Sequence, residues 1–139
     1  MRLRVRRREW RLDSVEGERV LVSPDTGPAV AGWLRGTVVL PEWALGLKPG
    51  WLRLVVAHER EHVRAGDPTL LTLGLIGLAL FPWNAALWWQ VRRLRLAVEM
   101  DCDERVLRVH PDVSEYGALL IEVSRRASLA GALVAALSE

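Results

Sequence analysis

From Pro68 to Val91 the chain runs for 24 residues without one Asp, Glu, Lys or Arg. On length alone such a segment crosses a bilayer core of about 30 Å. Trp83, Trp88 and Trp89 suit a membrane interface, and Arg92, Arg93 and Arg95 follow the segment. A single straight crossing is nevertheless not expected, because Phe81-Pro82-Trp83-Asn84 interrupts it. Proline cannot continue a helical hydrogen-bond ladder, and it turns the preceding residue away from helical geometry. The 13 residues from Thr69 to Phe81 are too few to span and suit a re-entrant hairpin or a buried core helix. Gly74 and Gly77 would let two such helices approach closely, although ordinary core packing explains them equally well.

The residues on either side demand the same fold-back. His58-Glu59-Arg60-Glu61-His62 is an HExxH sequence within a stretch of helical periodicity marked by Leu52, Val55, Val56 and Val63. Histidines four apart on a helix differ by about 40° around it and about 6 Å along it, so both rings project from one face. That spacing suits one tetrahedral Zn²⁺. Glu59 would then face the open position and act as general base toward a water that the metal acidifies. The alternative is a helix with two exposed histidines and a surface glutamate.

Zinc needs a third protein ligand, and Glu99-Met100-Asp101-Cys102-Asp103 begins 37 residues after His62. Glu99 and Asp103 share a helix face. Glu99 can give the metal an oxygen, while Asp103 can accept from the distal nitrogen of a ligating histidine and so orient the ring. By themselves these acids read better as a solvated face paired with Arg95 and Arg105; together with HExxH the metal reading prevails. His62 lies 20 residues before Pro82 and Glu99 lies 17 after it. An antiparallel pair turning at Pro82 therefore brings Glu99 level with the histidines.

Composition narrows the function classes. A net charge of +2 is too small to argue for nucleic acid, and no nucleic-acid partner is expected. Cys102 is the sole cysteine, so no internal disulfide is possible. It reads as a small buried side chain whose neighbours Asp101 and Asp103 raise its pKa. His110, before Pro111, reads as a loop residue rather than a fourth ligand. The first twelve residues carry six arginines and no apolar core, which is unlike a cleavable signal peptide. These arginines could grip anionic lipid or form a solvated end.

The order HEREHVRAGDP, an apolar stretch with FPWN and WW, then VEMDCDERVL, resembles the BlaR/MecR-type zinc metallopeptidases, membrane-bound sensor-transducers of bacteria. SPDTGPAVAGWLRGTVVLPEWA is similar to that family's entry strands, and Tyr116-Gly117-Ala118-Leu119-Leu120 to the helix after the site. The resemblance covers Val20 to Arg126 and concerns the peptidase core alone. It implies His58, His62 and Glu99 as zinc ligands, Glu59 as general base and Asp103 as a supporting residue. Cleavage of the protein itself or of a cytoplasmic repressor is implied as well.

The expected fold is α+β, a single domain with short N-terminal strands before a zincin-like helical core. Residues 1–17 are a basic segment and 18–48 strands and turns. The active-site helix covers 50–66, an apolar hairpin carrying the third ligand 68–108, and a C-terminal helix and tail 114–139. Asp67 is expected to cap the hairpin's first helix, ahead of Pro68. Thr37, Val38, Val39 and Leu40 are expected to form an edge strand that pairs with extended substrate. The expected function is a Zn²⁺-dependent endopeptidase acting on a protein or peptide. It would touch the bacterial cytoplasmic membrane through Pro68 to Val91, with its site facing the cytoplasm; a soluble cytoplasmic protein is the alternative. Its rivals are a non-catalytic signalling or assembly module of the same fold and a basic membrane-surface or nucleic-acid-binding domain.

Overall fold

A computed structural model describes residues 10–24, 27–32 and 36–136. The architecture is α+β, a four-stranded sheet followed by four helices. The arginines of residues 2–8, and residues 25–26 and 33–35, lie outside the described residues.

Strand β1 (Arg11–Val15) falls in the stretch expected to be only a basic segment. It pairs antiparallel with β2 (Glu18–Ser23) through a two-residue turn. Glu16 and Gly17 both take positive φ, 52° and 80°, the twist a tight hairpin of this kind requires. β3 (Ala29–Ala31) and β4 (Thr37–Pro41) complete the sheet in the order β1-β2-β4-β3.

That order overturns the expected role of Thr37 to Leu40. β4 is an inner strand, parallel to β2 on one side (Leu21 opposite Val39) and antiparallel to β3 on the other (Val30 opposite Val38). A strand flanks it on each side, with Val39 paired to both, so Thr37, Val38, Val39 and Leu40 do not form an edge strand for a peptide. The sequence carried a sign of this: Val38-Val39-Leu40 is apolar without alternation, the pattern of a strand buried on both faces. All three are buried. The edge on that side is β3.

Glu42–Gly46 forms a short 3-10 turn. Helix α1 (Pro49–Ala65) starts with proline at its first position, where the missing N–H costs nothing. Leu54, Val55 and Val56 join Val20, Val22, Val38 and Leu40 of the sheet in the main core. Gly66, left-handed at φ 76°, ends α1 and begins α2 (Asp67–Leu80), and the two axes bend by 62° there. Gly66 is therefore the cap; Asp67 lies inside the first turn, and its carboxylate turns elsewhere.

After Phe81-Pro82-Trp83 the chain reverses, as expected. Asn84 caps α3 (Ala85–Val109), its side chain accepting from the Leu87 N–H at 3.1 Å. At Gly74 an added Cβ would lie 3.3 Å from Val91 Cγ2, and at Gly77 3.6 Å from Leu87 Cδ2. The two glycines thus let α2 and α3 run close together. Further along α3, Val98, Cys102 and Val106 are buried at four-residue spacing, and α1 packs against this helix. Helix α4 (Val113–Ala136), capped by Asp112, adds Tyr116 and Leu119 to the core. Among the described residues no single helix is long and apolar enough to cross a membrane.

Candidate metal centre

Helix periodicity places His58 and His62 on one face of α1, and the Pro82 reversal brings α3 across that face. The Nε2 atoms of the two histidines stand 3.1 Å apart. Glu99 Oε2 lies 3.7 Å from His58 Nε2 and 3.6 Å from His62 Nε2. Three donors at about 2.0–2.1 Å from one tetrahedral ion would be separated by about 3.3 Å. The observed triangle is close to that.

The far nitrogens of both rings are occupied. His62 Nδ1 lies 2.8 Å from Asp67 Oδ2, so the carboxylate expected as a helix cap is the acceptor for this histidine. His58 Nδ1 lies 2.7 Å from the Tyr116 hydroxyl, which itself donates to Asp103 Oδ1 at 2.7 Å. Asp103 is 3.4 Å from the same ring nitrogen. Asp103 therefore supports His58 chiefly through Tyr116. With Nδ1–H donating to these acceptors, each Nε2 turns a lone pair into the space it shares with Glu99. Two lone pairs and a carboxylate aimed at one point require a cation, and the donor set fits a divalent metal.

Asp67 is held from behind. Arg105 Nη2 lies 3.4 Å from Asp67 Oδ2, its Nε lies 3.6 Å from Glu61 Oε2, and it also pairs with Asp101. One guanidinium thus ties α1, the first turn of α2 and α3 together beside the site. Spacing could have drawn attention to Asp67, five residues after His62. Tyr116 and Arg105 had no local sign.

Cys102 is buried as expected, but its pKa moves opposite to the expectation. Burial pushes the thiol up, and the neighbouring His58 and His62 outweigh that and hold it below its usual value. Asp101 and Asp103 do not act on it as supposed, being turned to Arg105 and Tyr116. Sγ donates to the His58 carbonyl oxygen at 3.3 Å. His58, His62 and Cys102 have ligand atoms within 4.8 Å of one another, so they too could hold a metal. Sγ meets His58 at Nδ1, 3.7 Å away, the nitrogen already engaged by Tyr116. The Nε2 atoms converge on Glu99, which makes it the better third donor. His110 ends α3 beside Arg53, Asp112 and Glu115 at a separate cleft.

Electrostatics express the same demand for positive charge. Burial works against protonated imidazoles, yet Cys102 and Glu99 outweigh it and raise both histidines. Hydrogen bonds from the two rings hold Glu99 well below the usual carboxylate range. Glu59, 6% exposed, is raised by burial to about 6 against the pull of His58 and His62. Its carboxylate accepts no hydrogen bond among the described residues and borders a cleft of about 550 Å³. The cleft runs from Gly27–Val30, along the edge strand, past the histidines to Leu71 on α2 and Val123 on α4.

The family model of the BlaR1 peptidase M56 matches residues 20–138. The chain belongs to the BlaR1 peptidase M56 family. That match begins within β2, after β1, and runs through β3, β4, the HExxH helix, the hairpin and α4. No curated protein and no solved structure matches the chain. Membership supports a metallopeptidase-type function and a protein substrate.

Proposed function

We propose that this M56 protein is a zinc-dependent endopeptidase in which His58, His62 and Glu99 hold the ion and Glu59 is the general base. The observation that carries this reading is the convergence of two Nε2 lone pairs and Glu99 Oε2 within 3.1 to 3.7 Å. When bound, zinc at such a site supplies Lewis acidity to a scissile carbonyl and acidifies water. Glu59 takes the proton from the attacking water and passes it to the leaving amide nitrogen. In the metal-free protein burial raises the Glu59 carboxyl toward neutral pH, the direction needed by a group that must both take and return a proton. Asp67 and Tyr116 with Asp103 keep the histidine rings aimed, so neither has to reorganise during turnover.

Extended substrate enters beside β3, the sheet edge bordering the cleft, rather than beside β4. The substrate is a protein, either this one or a cytoplasmic regulator. The family is membrane-associated, and the hairpin tip supports contact with the bacterial cytoplasmic membrane through Pro68 to Val91. Leu73, Leu80, Trp83 and Trp88 there are all more than half exposed. The site would then face the cytoplasm.

Co-purified metal and peptide cleavage test this together. Wild type is expected to hold one zinc and cleave peptides. Glu59→Gln should retain the zinc and lose about 10²- to 10⁴-fold in rate. Glu99→Ala should lose the metal; full zinc occupancy at unchanged affinity in that variant would remove Glu99 from the centre. Zinc bound without turnover of any peptide would favour the non-catalytic module.

A further inference from the structure

Beside the site's own groups, the cleft around the proposed centre is lined mainly by apolar side chains, with Ser124 and one cation among them. Leu54, Val55, Leu71, Leu119 and Leu120 line it, and so does Arg95. Arg95 sits one helical turn before Glu99 on α3, about 6 Å along the axis. Glu99 and Asp103 continue the same stripe at four-residue intervals. Arg95 makes no ion pair or hydrogen bond among the described residues. Its neighbours in sequence are placed differently: Arg93 lies over the Trp89 ring at 4.7 Å, and neither Arg92 nor Arg93 lines the cleft.

Arg95 is solvent-exposed at the cleft, one helical turn from Glu99, so its guanidinium is free to meet a substrate group. Its planar fork matches a carboxylate. Glu99 does not neutralise it, since that carboxylate is turned to the two histidines.

We infer that Arg95 is a specificity-determining residue that binds a carboxylate of the substrate, with apolar side chains seated along Leu71, Leu119 and Leu120. This rests on the peptidase reading and names the substrate class for it: apolar peptides bearing an acidic group near the scissile bond. The carboxylate comes from an Asp or Glu side chain or from the peptide's own C-terminus.

The test uses zinc-loaded full chain and short apolar peptides that differ only in Asp, Asn or Lys at successive positions, each made as C-terminal acid and amide. Wild type should prefer one Asp position, or the free acid, by about 10- to 100-fold in kcat/KM. A preference for internal Asp that survives amidation assigns the side chain; one lost on amidation assigns the terminus. Arg95→Gln should erase the preference while leaving zinc content and turnover of the Asn peptides unchanged. Arg95→Lys should keep part of it.

Fluorescence binding of the same peptides to Glu59→Gln and to Glu59→Gln/Arg95→Gln separates recognition from turnover. If wild type cleaves no peptide, the peptidase reading fails. The binding arm then still decides Arg95: weaker binding of acidic peptides on its loss sustains the inference, and equal binding overturns it. Cleavage with no acidic preference overturns it as well. So does an Arg95→Gln variant that keeps the peptide preference and loses binding only to vesicles of anionic phospholipid, which would make Arg95 a lipid contact.

Discussion

Helix α3 joins two regions built on opposite rules. Its second half is tied into the main core and the site: Val98, Cys102 and Val106 are buried, and Asp103 and Arg105 reach α4, α2 and α1 through polar contacts. Its first half, with α2, forms a hairpin whose apolar side chains mostly face outward. Trp83 is 79% exposed and Leu80 62%, whereas Leu40 and Cys102 are fully buried. Only Leu78 and Val91 are buried there, where Gly74 brings the helices together. Burial of apolar area is what stabilises a fold, so most of the tip's hydrophobicity contributes nothing to this one. We propose that this apolar excess serves the membrane contact put forward above.

The contrast breaks if truncation in the two regions costs the same. Leu40→Ala, in the sheet core, is expected to destabilise by about 2 to 5 kcal/mol in denaturant unfolding. A loss below about 1 kcal/mol would mean that the core is looser than its burial implies.

The polar network behind the histidines belongs to the first region and should be felt in metal binding. Tyr116→Phe and Asp67→Asn are each expected to lower zinc affinity by about 10- to 100-fold, measured by competition with a chromogenic chelator. Wild-type affinity in both would detach the supporting contacts from the centre.

Glu59 sharpens the comparison in another way, because its burial costs stability. Its folded-state pKa of about 6 exceeds the ordinary 4.5. The folded metal-free protein therefore loses stability as pH rises from 4.5 through about 6, and the penalty is complete above that. By linkage a rise of this size amounts to about 2 kcal/mol. Metal-free Glu59→Gln should be more stable than wild type by up to that amount near pH 8, with the gain fading below about pH 4.5. A variant no more stable at any pH would refute the strained carboxylate.

The smallest effect belongs to the tip. Trp83→Ser and Leu80→Ser should each shift unfolding by less than about 0.5 kcal/mol, while weakening association with phospholipid vesicles in a flotation assay. A large loss of stability would show that the tip is core after all.

Much of the site was legible because its spacing is local. The HExxH period puts two imidazoles on one helix face whatever surrounds it, and Pro82 lies at the right distance to return Glu99 to them. The interruption at Phe81-Pro82-Trp83-Asn84 and the shortness of the segment before it argued against a straight crossing, and the chain does reverse there. Strands were expected within 18–48, where β2, β3 and β4 lie, whereas β1 was hidden in a basic segment whose hairpin turn, Glu16-Gly17, is a weak signal.

What the amino-acid order determined by itself was short-range: helix faces, breaks, and the charge gap from Pro68 to Val91. The tertiary structure alone decided which neighbours those faces meet. Insertion of β4 between β2 and β3 depends on pairing between strands far apart in sequence, and it moved the free edge to β3. Asp67, Tyr116 and Arg105 acquired their roles because three helices cross at one place. A side chain's hydrogen-bond partner is set by where the chain returns to, and periodicity carries no information about that.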